Sequence, residues 1–288
     1  MIKNLVISGG STKTIAVLGC LKYLEEQNLM AAIKNYIGTS AGSILCFFLV
    51  LGYDVSEIIH LLKEHLFGNN LHVLGLEEVL TLEILQSYGM DSGKNLIQFL
   101  TDILFLKFRV KDMTFIELAK TTGKNLVVCG ANITKEISEY LCLDTHPEMS
   151  VITAVRISVS LPFIFTPVIY KDCYYLDGGI FEMLPVAYIE KFTDPIKDTI
   201  ALNTISKKRD KNINSLLDYI RTVINVIIDK ANQSKTEMSE KIKMITIEFE
   251  DVDDMNFSFE DCRFVMDMER ITQHIDKGYN IIKQHFEK

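Results

Sequence analysis

Three short stretches of this chain carry residues whose types and spacing could do acyl-transfer chemistry. Gly38-Thr39-Ser40-Ala41-Gly42 has the form G-x-S-x-G. A serine in such a turn sits in a strained backbone conformation with its hydroxyl lifted clear of the chain. Ser8-Gly9-Gly10-Ser11-Thr12-Lys13 is a glycine-rich loop, and backbone N–H groups in such a loop can point at an anion. Asp177-Gly178-Gly179 sets a carboxylate ahead of two glycines. A serine alone is a poor nucleophile and needs a base within hydrogen-bond reach. The usual partner is histidine, which in an α/β-hydrolase comes late, on a loop after the last strand. Here His274 and His285 fall inside a terminal helical pattern, and His146 precedes Pro147 in a loop; none has a compelling context. Asp177 has one, although the reference aspartate pKa of about 3.9 lies roughly three units below neutral pH and burial must raise it.

The elements around these stretches put them at strand ends. Met1 to Ser8 reads as a first strand, and Ile15, Leu18, Leu21 and Leu24 recur at helical spacing, so a strand enters the glycine-rich loop and the loop opens a helix. Tyr36-Ile37 precedes the G-x-S-x-G turn and the apolar run from Ile44 to Leu51 follows it, which predicts strand, tight turn and buried helix. Gly38 and Gly42 lack a Cβ and let the two approach. The helix then points its N-terminal N–H groups at Ser40, where negative charge would develop during acyl transfer. Tyr174 to Leu176 is strand-like and delivers Asp177 to a strand end, where catalytic groups sit in α/β folds. Further along, Ser92 is expected to cap a helix running to Phe108, and Thr114 with Glu117 forms a capping box for the next. Strands are expected at 126–133, 139–143, 199–204 and 244–249, and helices at 151–159, from Leu184 onward, at 213–230 and at 264–286. Phe163-Ile164-Phe165 lies between two prolines and reads as a plug under the site, an acyl-chain contact or ordinary core.

Composition narrows the classes. The chain has 288 residues, of which 48% are hydrophobic and 24% charged, enough for a sizeable core and not the profile of a disordered chain. A net charge of −8 argues against a general binder of nucleic acid or anionic membranes. The six cysteines are scattered without a C-x-x-C pair, which predicts reduced, mostly buried thiols and a cytoplasmic protein without a zinc site. The start reads as a strand rather than a signal peptide. The apolar stretch from Ala41 to Tyr53 is too short for a bilayer span of roughly 20 residues. Membrane contact would therefore be peripheral, with Phe47, Phe48, Phe105 and Phe163 to Phe165 as candidate contacts. The glycine-rich loop is neither G-x-x-x-x-G-K-[ST] nor G-x-G-x-x-G, so an oxyanion hole is a more economical reading than a phosphate site. His60 and His65 stand five apart and do not make the zinc signature. The acids Glu250, Asp251, Asp253 and Asp254 lack EF-hand spacing and read as a solvated loop.

Gly38-Thr39-Ser40-Ala41-Gly42 together with Asp177-Gly178-Gly179 resembles the patatin-like phospholipase family. The resemblance extends to Ser8 through Lys13, to Thr114 through Leu118, to Asn132-Ile133-Thr134, to Ala154 through Ser158 with Pro162 and Phe165, and on to Pro185-Val186. It covers roughly residues 1 to 205, the expected catalytic core, with 206–288 adding helices and a strand to the same domain. It implies a three-layer α/β/α sandwich with a mostly parallel central sheet. It also implies a Ser40–Asp177 dyad without histidine, with an acyl-enzyme on Ser40 and an oxyanion hole from Gly9, Gly10 and Ser11. Lys13, Gly38, Gly42, Gly178 and Gly179 would support these loops, Lys13 either bracing its loop or meeting a lipid phosphate. The implied substrate is a phospholipid or other acyl-ester lipid, and no metal or organic cofactor is implied. Ser11 and Thr14 stand where the family usually has glycine, and Met183 where it often has asparagine. These departures leave two alternatives open: a catalytically weak or inactive lipid- or partner-binding module, and a hydrolase or acyltransferase acting on a soluble ester.

Overall fold

Leu5-Val6-Ile7 is apolar on both sides of a strand, so it belongs at the centre of a sheet covered on both faces. The computed structural model places it there. It describes residues 1–65, 87–192, 194, 196–206, 213–214, 216–233, 241–249, 257–258, 263–264 and 268–287. The strands are β1 (Asn4–Ile7), β2 (Asn35–Thr39), β3 (Gly89–Asp91), β4 (Asn125–Asn132), β5 (Ile137–Cys142), β6 (Phe163–Phe165), β7 (Val168–Tyr170), β8 (Cys173–Asp177), β9 (Thr199–Ser206), β10 (Lys243–Phe249) and a short pair, β11 (Phe257–Ser258) with β12 (Arg263–Phe264). The helices are α1 (Ile15–Glu26), α2 (Ala41–Val50), α3 (Val55–His65), α4 (Lys94–Phe108), α5 (Phe115–Thr122), α6 (Val151–Ser158), α7 (Leu216–Gln233) and α8 (Met268–Phe286).

Among the described residues the main sheet has eight strands in the order β10-β9-β1-β2-β4-β8-β7, with β5 also on β4. From β10 to β4 the pairing is parallel. β5, β7 and β8 are antiparallel to their neighbours. Alternate side chains of β1 enter opposite cores. Leu5 and Ile7 join the large core with α1, α2 and α4. Val6 joins Ile37, Val127 and Ala201 beneath Val186 and Ile189. This is the expected α/β/α arrangement. At the amino ends of the parallel strands the register is locked by a side-chain ladder. Asn125 donates to Asn35 (2.9 Å), Asn35 to Asn4 (2.7 Å) and Asn4 to Thr199 (3.1 Å). The opposite, carboxyl ends carry the loops singled out by sequence.

Several local expectations need correction. Ser92 does not cap α4: Gly93 takes that place with a left-handed backbone (φ 75°), and its N–H is accepted by Asp91 Oδ1. Leu184 onward makes a turn and a short 3-10 helix (Ala187–Lys191), which closes i→i−3 bonds instead of an α-helix. The terminal helix starts at Met268, and Phe264 is in β12. The acidic run from Glu250 to Asp254 lies outside the described residues, as does Asn69-Asn70, which by residue type reads as a break between elements. The Thr114–Glu117 capping box is present in both directions.

Helix α1 leaves the glycine-rich loop directly, and α8 lies along it at backbone contact. A Cβ on Gly19 would stand 1.8 Å from Ile275 O, and one on Gly278 1.8 Å from Ala16 O. Cys20 Sγ donates to Gly278 O at 3.2 Å. Gly278→Ala gains up to about 1 kcal/mol of helix propensity. The obstructing atom is backbone and cannot turn aside, so the expected net result is a loss of about 1–3 kcal/mol in chemical denaturation. A more stable Gly278→Ala protein would contradict this contact.

Candidate active site

Strand β2 ends at Thr39 and α2 begins at Ala41, so Ser40 alone makes the turn. Its backbone has φ 52° and ψ −129°, a region that costs an L-residue of order 1–3 kcal/mol. Three contacts hold it there. Its N–H donates to Ser158 Oγ (2.8 Å), and Ser158 Oγ donates to Cys129 O (2.6 Å). Its carbonyl accepts from Ser43 N (2.8 Å) and Ser43 Oγ (2.6 Å). Both glycines of the motif are needed for close approach: a Cβ on Gly38 would lie 2.6 Å from Gly42 O, and one on Gly42 2.5 Å from Ile7 O.

Asp177 reaches Ser40 through an arrangement of strands. Cys129 of β4 pairs with Thr39 on one edge and Tyr140 on the other, while Gly130 pairs with Asp177 and Glu139. Since β5 runs unbroken along one edge of β4, β2 and β8 share the other. There they meet head to head, carboxyl end to carboxyl end, and Ser40 and Asp177 are the residues at the junction. Asp177 is fully buried. Its N–H donates to Ser160 O (2.8 Å) and its Oδ1 accepts from Gly179 N (2.8 Å). Burial raises its pKa from 3.8 to about 7, opposed by the Ser40 hydroxyl and the Gly179 N–H, both of which favour the anion. The Ser40 hydroxyl is thus close enough to stabilise the carboxylate. Even so, Oδ2 lacks a geometrically complete hydrogen bond. The unsatisfied oxygen of a buried carboxylate is available to accept a proton.

The glycine-rich loop follows β1, next to β2. Thr204 on β9 donates its hydroxyl to Gly9 O (3.1 Å), and its N–H goes to Ser8 Oγ (3.0 Å). Gly9 N–H donates to Met183 O (2.9 Å). Gly9 therefore cannot offer its N–H to an oxyanion, which corrects the expectation from sequence. The N–H groups of Gly10 and Ser11 have no acceptor among the described residues. Gly10 has φ 156°, and Ser11 has φ 53°, the left-handed conformation a glycine would take at no cost. Lys13 Nζ donates to Ser206 Oγ at 2.7 Å, so it braces the loop against β9. Gly178 and Gly179 begin a 3-10 turn after Asp177, and the Met183 side chain packs against Gly179 and Gly9 together. Thr39 Oγ1 donates to Glu182 O (3.0 Å), which ties that turn to the elbow.

Sequence reasoning gave no role to Ser158, Ser160, Thr204 or Arg156, although Arg156 and Ser158 lie in the stretch from Ala154 to Ser158 that carries the family resemblance. Arg156 is buried (3% exposed), and its guanidinium donates to Ser160 Oγ, to Ser92 O (3.2 Å) and to Thr166 O (3.1 Å). A cation in a buried helix, followed by serines two and four residues later, was the available signal. The described histidines lie elsewhere. His146 sits against Glu139 (3.6 Å) and Thr145 (3.0 Å), and His274 stacks on Phe249. Phe47 and Phe48 are core, whereas Phe105 and Phe163 are exposed.

Comparison with known proteins places this geometry. Among curated proteins, the chain is 29% identical over 251 residues to the probable lipid hydrolase 463L of Invertebrate iridescent virus 6, covering 85% of this chain and 84% of that one. It is also 29% identical over 233 residues to an uncharacterized protein of Acanthamoeba polyphaga mimivirus, covering 76% and 73%. Among solved structures, VipD from Legionella pneumophila superposes with a TM-score of 0.61 at 18% identity, over 99% of this chain and 67% of VipD. The type III effector protein ExoU gives 0.51 at 15% identity, over 99% of this chain and 53% of ExoU, so the chain spans about half of that protein. At these identities the two structures speak for the fold alone. The family model for patatin-like phospholipases matches residues 5–189, a span that holds the glycine-rich loop, the serine elbow and the aspartate turn, and the chain belongs to the patatin-like phospholipase family.

Proposed function

We propose that this protein is a lipid acyl hydrolase of the phospholipase A type, with Ser40 as nucleophile and Asp177 as its base. Family membership supports a hydrolase acting on lipids. The observation that carries the finer reading is the junction of β2 and β8, which sets the strained Ser40 against a fully buried carboxylate held near neutral pKa. As Ser40 Oγ attacks the ester carbonyl, its proton passes to Asp177 Oδ2. The tetrahedral oxyanion is held by the N–H groups of Gly10 and Ser11, with the amino end of α2 adding favourable potential. Collapse expels the alcohol, which takes the proton from Asp177 and leaves the acyl group on Ser40. Water then attacks the acyl-enzyme, with Asp177 again as base, and a fatty acid leaves. The second reading, a lipid-binding module without turnover, draws on Ser11, a non-glycine residue in a left-handed conformation within the proposed oxyanion hole. Labelling of Ser40 by a fluorophosphonate separates the two.

The direct test is release of fatty acid from mixed phospholipid vesicles. Wild type should release it, Ser40→Ala should fall to background, and Asp177→Asn should lose about 10²–10⁴-fold, the range for a general base. Full activity in Asp177→Asn would end the dyad reading. Ser158 is expected to act as a positioning residue. Ser158→Ala removes the acceptor of the Ser40 N–H and should lower kcat about 10–100-fold with KM little changed. Ser158→Thr, which keeps the hydroxyl, should recover part of the loss. An unaffected kcat in Ser158→Ala would contradict the role.

A further inference from the structure

Strands β3 and β6 form a two-stranded ribbon apart from the main sheet, with Gly89 opposite Phe163 and Asp91 opposite Phe165. At its tip Tyr88 is 64% exposed and Phe163 55% exposed. Both have left-handed backbones, φ 61° and 64°, a conformation disfavoured for bulky side chains. In a regular strand, residues two apart share a face. Phe165 is buried, so the backbone at Phe163 turns its ring outward against that pattern. Leu161, Pro162 and Ile164 beside it are half-buried. From Ile157 to Tyr170 the chain carries no charged side chain. An outward aromatic pair beside a charge-free stretch of chain suits a hydrocarbon boundary better than a charged partner, because a tyrosine favours the zone between headgroups and acyl chains and a phenylalanine ring favours hydrocarbon over water.

The ribbon is also fixed to the catalytic turn. Ser160 O accepts the Asp177 N–H, and Phe163 follows three residues later, within a chain reach of at most about 11 Å. Arg156 donates to Ser92 O and Thr166 O, at the ends of β3 and β6, and to Ser160 Oγ. One buried guanidinium therefore joins both strands of the ribbon to the residue that holds Asp177. Among the described residues no helix is long and apolar enough to cross a membrane.

We propose that Tyr88 and Phe163, at the tip of the β3–β6 ribbon, seat this protein on the hydrocarbon boundary of a phospholipid bilayer. The proposal rests on the lipid-hydrolase reading and names the surface through which that site meets its substrate. Insertion of the two rings brings the Asp177 turn to the bilayer surface without a conformational change.

The test is cosedimentation of Ser40→Ala protein with phosphatidylcholine vesicles, in which turnover plays no part. Phe163→Ser and Tyr88→Ser, each added to Ser40→Ala, should weaken partitioning about tenfold. Leu106→Ser, at a comparably exposed apolar residue (50%) near the carboxyl end of α4, should leave it unchanged. Thermal melting of each variant shows that the fold is kept, and Tyr88→Ser carries the test if Phe163→Ser melts early. Adding phosphatidylserine should not strengthen binding to a chain of net charge −8. The proposal is overturned if the parent does not bind, or if binding survives loss of both aromatics. It is also overturned if sedimentation velocity without lipid shows a dimer that Phe163→Ser dissolves, since the occupant would then be a second copy. Aromatic-dependent binding with no hydrolysis by wild type would leave the docking surface standing and remove the enzyme reading alone.

Discussion

A carboxylate fully withdrawn from water costs free energy unless it is protonated or well solvated by the protein, and the candidate site is built around one that is only sparsely solvated. Asp177 receives one backbone N–H and the influence of one serine hydroxyl, and no cation is among the causes acting on its pKa. Its pKa therefore stands near neutrality. A cation at hydrogen-bond distance would pull the value back down and make the carboxylate a weak base; full solvation would do the same. The usefulness of Asp177 in the proposed mechanism follows from what has been kept away from it.

Holding such a group requires a rigid frame, and the strand pattern provides one. Two strands that end head to head on the same edge of β4 fix the separation of Ser40 and Asp177 through backbone pairing, with no long side chain in between. The remaining freedom is taken up by α6. Ser158 holds the Ser40 N–H, Ser160, two residues beyond its end, holds the Asp177 N–H, and Arg156 holds Ser160. The strain at Ser40 persists because its N–H and carbonyl are both occupied in that conformation and would lose their partners in a relaxed one. The glycine-rich loop is pinned from the other side to β9, by Thr204 on Gly9 O and by its own Lys13 on Ser206, with the Gly9 N–H given up to Met183 O. Among the described residues, the N–H groups of Gly10 and Ser11 are left without an acceptor.

Much of this was legible in the sequence because it is local. The elbow is announced by strand, G-x-S-x-G and an apolar run within a few residues, and the capping box at Thr114 is complete in four. The parallel sheet is what the family resemblance implies, and the short apolar runs alternating with helical patterns agree with it. The parts that were not legible depend on contacts between distant segments. Ser158 and Ser160 read as ordinary small residues of a helix end; only the crossing of α6 over β4 brings them to Ser40 and Asp177. Gly9 looked equal to Gly10 until Met183, far away in sequence, was seen to take its N–H. Ser92 looked like a cap on propensity, yet Asp91 and a left-handed Gly93 do that work, leaving the Ser92 carbonyl for Arg156. Phe163 and Phe165 are indistinguishable by type, yet Phe163, with a left-handed backbone, is exposed and Phe165 is in the core.

The central claim is that Asp177, with a pKa near 7, is the base that activates Ser40. The most direct measurement is the pH dependence of the second-order rate at which a fluorophosphonate labels Ser40. A base must be unprotonated to act, so the rate should be low in mild acid, rise through an inflection near pH 7 and level off above it. The inflection should vanish in Asp177→Asn, which should label slowly at every pH. A rate that is flat from mild acid to mild base in wild type, or an inflection that survives in Asp177→Asn, would contradict the account.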